Sequence, residues 1–277
     1  MSGRTAELSG AGYVSLTVPD EIYPAVLGAA PSLLSAPLPE AAPQQQTLAE
    51  RQLQFWQERM QGCDAVLVGP GLGRSTPERP DLLGLVLAAI AQAPRLVLDA
   101  DALNLLAEPT SLEAGRVALR QRAQNGLEAA ILTPHPGEFA RLCPEMAEKV
   151  TQDRIASAET LAKLTASVVV LKGAGSLIAA PGRTTRVCML GNPGMAGGGM
   201  GDALTGIIAT LLAQGHAPFD AASIGVWLHA RAGDRAAERG EIGSEARDLP
   251  VEAEVAGKAG DGDVVADDDG EACRLRG

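Results

Sequence analysis

The sequence predicts a three-layer α/β/α fold around a mainly parallel central sheet, and three observations predict it. Short apolar runs of strand length recur between helical stretches. The runs end in special residues: Gly69-Pro70-Gly71, Asp99, Thr133-Pro134-His135 and Lys172-Gly173. Aromatic residues make up only 3% of a chain that is 46% hydrophobic, so packing rests on Leu, Val, Ile and Ala between glycine-rich turns. Continuous apolar runs are the signature of strands buried on both faces, and their alternation with helices gives a parallel sheet with ligands beyond the carboxyl ends of its strands. At 277 residues the chain can bury a sizeable core.

The strands and helices follow in order. Residues Pro31 to Gln46, rich in Pro, Ala, Ser and Gln, read as a loop or flap. Ala65 to Val68 is a strand running into Gly69-Pro70-Gly71, followed by a helical stretch from Pro80 to Gln92. Arg95 to Leu98 ends at Asp99, and Ala129 to Leu132 ends at Thr133-Pro134-His135. After a helix from Asp153 to Ala166, Val168 to Leu171 ends at Lys172-Gly173 and turns into another strand, Leu177 to Ala179. The clearest helix begins near Gly201, because Leu204, Ile207, Ile208, Leu211 and Leu212 recur at helical spacing and Gly215 stops it. A second helix, Asp220 to Glu238, carries Ile224, Trp227 and Leu228 on one face and is expected to pack against the first. Residues 1–240 thus form one domain. Glu241 to Gly277, with 11 acidic and 4 basic residues, reads as a solvated, disordered tail that supplies most of the net charge of -11.

That charge argues against a nucleic-acid partner, since phosphate backbones are bound by a surplus of Lys and Arg. It leaves small phosphates open, because backbone N–H groups and helix N-termini hold them without net positive charge. Cys63, Cys143, Cys188 and Cys273 form no C-x-x-C pair, and His135, His216 and His229 form no ligand-spaced cluster, so neither a disulfide framework nor a zinc site is expected. No apolar run reaches the roughly 18 residues of a membrane span, and the N-terminus lacks the order of a signal peptide. A cytoplasmic protein without a membrane partner is the expectation.

The most informative stretch is Gly191-Asn192-Pro193-Gly194-Met195-Ala196-Gly197-Gly198-Gly199-Met200-Gly201-Asp202. Glycines let the loop turn its amides inward without Cβ clashes, so those of Gly198, Gly199, Met200 and Gly201 can cradle a phosphoryl group at the positive end of the helix that follows. Asp202, in the first turn, is placed to take a proton from an attacking hydroxyl, while a flexible linker with a capping aspartate is the alternative. Lys172, followed by Gly173, Ala174, Gly175 and Ser176, is equally an ordinary strand-end lysine. Asp99, Asp101 and Asn104 either order magnesium-bound water or cap the following short helix. His135 is held rigidly between two prolines, and Glu138 either works near magnesium and phosphate or sits in a helix's first turn, where acidic residues are favoured. Gly71 and Gly73 allow close approach of backbone to substrate phosphates, or make a plain turn.

Gly191 to Gly206 resembles the signature of the NAD(P)H-hydrate dehydratase family, and three further stretches match that family in the same order: Gly69-Pro70-Gly71-Leu72-Gly73, Leu98 to Asn104, and Leu132 to Glu138. The resemblance implies a ribokinase-like fold and a cofactor-repair reaction. Hydrated NADH or NADPH (NADHX, NADPHX) is phosphorylated on its C6 hydroxyl by ADP or ATP, and phosphate leaves to restore the reduced nicotinamide. It implies Asp202 as catalytic base, also touching substrate, with Gly71, Gly73 and His135 binding the hydrated nicotinamide nucleotide. Lys172, Gly173, Ala174, Gly175, Ser176 and Gly201 bind the adenine nucleotide. Magnesium accompanies the nucleotide with no direct protein ligand, Glu138 resembling the acidic residue near it, and a homotetramer is implied. The alternatives are a ribokinase-like kinase of a vitamin precursor and a nucleotide-binding remnant without catalysis. Family members begin with a strand, a Gly-Gly-Ser-type loop and a helix before Gly-Ala-Gly-x-Val. Here Gly10-Ala11-Gly12-Tyr13-Val14 comes almost at once, so that first unit is expected to be lacking.

Overall fold

The structure, a computed structural model, describes residues 1–238 together with the two-residue strands at 265–266 and 272–273. The expected acidic tail otherwise lies outside the described residues.

Six strands form the main sheet in sequential order: β3 (Val66–Val68), β4 (Leu96–Leu98), β5 (Ile131–Leu132), β6 (Val168–Leu171), β7 (Ser176–Ala179) and β8 (Arg186–Cys188). The first four are parallel, and the last two turn back antiparallel. Side chains alternate across each strand and thereby build two cores. Leu96, Leu98, Leu132, Val169 and Leu171 point to a face covered by α4 (Leu82–Gln92), α5 (Ala100–Leu106), α6 (Leu112–Gln124), α7 (Pro136–Leu142) and α8 (Arg154–Thr165). Val97, Ile131, Val168 and Val170 point the other way, onto α9 (Met200–Ala213) and α10 (Pro218–Glu238). The three layers and the mainly parallel sheet are as expected, and Leu204, Ile207, Ile208, Leu211 and Leu212 form the buried stripe of α9.

Two expectations need correction. Pro31 to Gln46 contains a strand, β2 (Leu34–Pro37), which pairs in parallel with β1 (Ser15–Val18) in a separate two-stranded sheet. Pro37 obscures this in the sequence, but it sits at the strand's last position, where a missing N–H costs little. A helix also precedes the Gly10-Ala11-Gly12 turn, although none was expected there. This helix, α1 (Ser2–Leu8), lies along α9, with Thr210 Oγ1 donating to the carbonyl of Ala6. Helices α2 (Tyr23–Ala29) and α3 (Leu48–Met60) complete the first third, α3 being started by a capping box between Thr47 and Glu50.

The second core is continuous from the sheet to the N-terminus of α9. On the other side, Arg122 is 1% exposed, and its guanidinium donates to the carbonyls of Glu128, Ile90, Ala93 and Pro94. This one side chain closes the C-terminal end of α4 onto α6, using donors whose fixed fork suits several carbonyls at once.

Candidate active site

Because β3 to β6 are adjacent and parallel, their C-terminal ends line one edge of the sheet, and the ladder continues into the loops. Asp99 N–H donates to Val68 O, Thr133 N–H to Leu98 O and Lys172 N–H to Pro134 O. Gly69, Asp99, His135 and Lys172 therefore follow neighbouring strands. Gly69 must be glycine: its φ is +133° and a Cβ there would lie 1.7 Å from the Asp99 carbonyl oxygen.

Asp99 is almost fully buried, with Oδ1 2.8 Å from Lys172 Nζ. The same ammonium lies 3.9 Å from Glu138 Oε2. A Cβ placed on Gly201 would be 3.2 Å from Lys172 Nζ and 3.7 Å from Asp99 Oδ2. The pair thus sits directly against the N-terminus of α9, where the helix dipole and free amides already favour an anion. Gly199 takes the N-cap position with φ +83°, and Asp202 lies in the first turn. Burial is the main cause that pushes the Asp202 carboxyl above its ordinary range, with the N-terminal ammonium and Lys172 opposing and Asp99 and Asp101 adding to it. A carboxylate so raised is a better proton acceptor than a solvated one.

Several candidate residues use their side chains in ways the sequence left open. Asp99 occupies the N-cap position of α5 but makes no side-chain cap bond, because its carboxylate serves Lys172. Asp101 Oδ2 accepts from Gly73 N–H at 2.8 Å and so fixes the Gly71 to Gly73 turn. Asn104 Oδ1 accepts from the Arg141 guanidinium at 2.7 Å. His135 is the N-cap of α7: its Nδ1 accepts from the N–H groups of Gly137 and Glu138, while Glu138 Oε2 accepts from His135 N–H. Nδ1 is thereby an acceptor, which leaves Nε2 as the N–H side of the ring, 3.4 Å from Glu138 Oε1.

The loop Lys172 to Ser176 is braced by a residue that sequence reasoning missed. Arg154, the first residue of α8, donates to the carbonyls of Ala174 and Gly175, the latter at 2.9 Å, and reaches Leu171 O at 3.3 Å. The signal was an arginine at a helix N-terminus, where a cation is disfavoured unless something else holds it. Ser176 Oγ donates back to Gly173 O at 3.0 Å.

The described residues contain no group of three His, Cys, Asp or Glu able to hold a metal ion. Asp99 and Glu138, the carboxylates beside Lys172, are the oxygen donors that could reach the waters of a magnesium ion carried in on nucleotide phosphates.

A sequence model of NAD(P)H-hydrate dehydratase matches residues 1–254. The chain belongs to the NAD(P)H-hydrate dehydratase family. It is 40% identical over 243 residues to the bifunctional NAD(P)H-hydrate repair enzyme of Vibrio cholerae, covering 87% of this chain and 43% of that protein. It is 41% identical over 176 residues to the ADP-dependent (S)-NAD(P)H-hydrate dehydratase of Neisseria meningitidis, covering 64% of this chain and 56% of that one. The chain thus spans about half the length of these curated relatives. Among solved structures, the ADP/ATP-dependent NAD(P)H-hydrate dehydratase of Bacillus subtilis co-crystallised with ATP and magnesium superposes with a TM-score of 0.67 at 22% identity, over 93% of this chain and 84% of that one. At that identity the likeness speaks for the fold. Among the described residues, no helix is long and apolar enough to cross a membrane.

Proposed function

We propose that this chain catalyses the nucleotide-dependent dehydration of (6S)-NADHX and NADPHX to NADH and NADPH. ADP would yield AMP and phosphate, and ATP would yield ADP and phosphate. The observation that carries the reading is the convergence of a half-buried Asp202, its carboxyl raised above the ordinary range, and the Lys172–Asp99 pair on the amide-rich N-terminus of α9.

In this reading Asp202 takes the proton of the C6 hydroxyl as its oxygen attacks the terminal phosphorus of the nucleotide. The amides of Gly198 to Gly201 and the Lys172 ammonium stabilise charge on the transferring group without reorganisation. The phosphate ester is then a good leaving group: the ring-nitrogen lone pair expels it as the C6–O bond breaks, phosphate carries away the hydroxyl oxygen, and C5 gives up a proton so that the C5=C6 double bond of the dihydronicotinamide re-forms. Lys172 and the Gly173 to Ser176 loop take the nucleotide. Gly71, Gly73 and the exposed edge of His135 take the hydrated nicotinamide nucleotide. Magnesium, when bound, neutralises charge on the nucleotide phosphates, with Glu138 and Asp99 as residues that could order its waters. Cytoplasmic action and a homotetramer belong to the same reading through the family resemblance.

The test is recovery of reduced-nicotinamide absorbance when purified protein meets hydrated NADH with ADP, with ATP, or with no nucleotide. The reading expects recovery only with nucleotide, and none in an Asp202→Asn variant. Nucleotide consumption without recovered NADH, in the presence of a vitamin precursor, would replace it with a small-molecule kinase.

A further inference from the structure

A run containing Gly191, Gly194, Gly197, Gly198 and Gly199 has little intrinsic shape, and fixing it costs more backbone entropy than fixing ordinary residues. Something outside the loop must hold it, and the hydrogen bonds identify that element as α10. Gly191 N–H donates to Asp234 Oδ2 at 3.0 Å, and Asn192 Nδ2 donates to Asp234 Oδ1 at 3.1 Å and to Gly233 O at 2.9 Å. Asn192 Oδ1 in turn accepts from Gly194 N–H at 3.0 Å, which shapes the turn Pro193–Ala196. One turn of α10 earlier, Ala230 lies against Gly191, and the buried His229 hydrogen-bonds to the Met200 backbone at the loop's far end. Gly233 leaves room for Met195, since a Cβ there would fall 2.3 Å from Met195 Sδ. Residues 229, 230, 233 and 234 are spaced one and four apart, so they share one face of the helix.

We propose that Asp234 is a positioning residue of the reaction: through Gly191 and Asn192 it sets the register of the glycine-rich loop, and with it the direction of the amides at the N-terminus of α9. Both carboxylate oxygens are committed to donors on the loop, and a charged acceptor makes these bonds stronger than neutral ones. Asp234 touches neither the reacting atoms nor Asp202 and acts through the loop alone. The inference rests on the proposed function for its kinetic consequence, though not for its structural one.

The test exploits polarity. Asp234→Asn puts an amide donor against donors, and Asn192→Asp puts a carboxylate against a carboxylate. The double variant restores a matched pair between positions 192 and 234, while the Gly233 carbonyl loses the donor that Asn192 Nδ2 supplies in the wild type. Its amide at position 234 donates to the carboxylate at position 192 and accepts from Gly191 N–H, while the second oxygen of that carboxylate accepts from Gly194 N–H. Each single variant is expected to lower kcat about tenfold while leaving KM for the nucleotide within about twofold, and to speed amide exchange across residues 191–200 while the interior of α9 stays protected. The double variant is expected to return kcat to within about threefold of wild type and to restore protection. A merely structural contact would change melting temperature and leave kcat of the folded protein unchanged. Single variants as active and as protected as wild type, or losses that simply add in the double variant, overturn the proposal. If the wild-type chain restores no NADH, the functional reading fails by itself. Exchange then decides the inference alone, with loss and rescue supporting it and unchanged protection refuting it. Should a single variant not fold, Asp234→Glu keeps both acceptors on a longer arm and is expected to give the same exchange signature, unchanged exchange again being refutation.

Discussion

His229→Asn is predicted to flatten the acid limb of stability. The imidazole is buried on α10 with Nε2 unpartnered, and burial is the main cause that lowers its pKa from 6.5 to about 4, the Lys172 charge adding and the bond to the Met200 backbone opposing. Above pH 6.5 the ring is neutral in both folded and unfolded chains and contributes no pH dependence. Between pH 6.5 and about 4 the unfolded chain takes up a proton that the folded chain refuses, so stability falls as pH falls, and the loss is complete below about 4. One pH unit corresponds to about 1.4 kcal/mol, so the full effect is about 3 kcal/mol, of which about 2 kcal/mol is lost by about pH 5. Urea midpoints at about pH 7.5 and about pH 5, for wild type and variant, isolate the term as the difference of differences, since the carboxylates titrate in both. The variant starts lower at neutral pH, having lost packing and the Met200 bond, so only the slopes are compared. Equal losses in the two proteins would refute the assignment of a buried neutral imidazole behind the loop.

Asp202→Asn should reduce turnover by a factor of about 10² to 10⁴, the usual range for a positioned base, yet raise the melting temperature at neutral pH. A carboxyl whose folded pKa is raised loses stability as pH climbs through the window from 3.8 to the raised value, so removing its charge removes that cost. Arg122→Met leaves four buried carbonyls without their donor and is expected to destabilise by about 4 kcal/mol, lowering the melting temperature by roughly 8 to 16 °C; a fall of a degree or two would show that water replaces the guanidinium. Lys172→Met strands the buried Asp99 carboxylate and should destabilise by about 3 kcal/mol, and adding Asp99→Asn should recover part of that loss in denaturant unfolding.

The layers of the fold were legible because β4, β5 and β6 are uninterrupted apolar runs and α9 carries an unbroken stripe at helical spacing. β2 was hidden because Leu34-Ser35-Ala36-Pro37 has neither an apolar run nor alternation, its pairing with β1 being a tertiary fact. At the site, the chemistry-bearing residue types could be read, but not what each holds. Asp99 looked equally like a cap and a magnesium partner until Lys172, 73 residues away, was found on its carboxylate. Arg154 and Asp234 fall outside the family motifs and act on backbone groups of distant loops, contacts that no local spacing encodes.

The account's central claim is that the C6 hydroxyl is phosphorylated before it leaves, and the most direct test follows that hydroxyl oxygen. Hydrated NADH prepared with oxygen-18 in the C6 hydroxyl is turned over with unlabelled nucleotide, and the released phosphate is examined by mass spectrometry. The account predicts one heavy oxygen in every phosphate formed, in step with NADH restored. Heavy oxygen in water, with unlabelled phosphate, would mean that the hydroxyl departs without phosphoryl transfer and would contradict the role given to Asp202 and the loop before it.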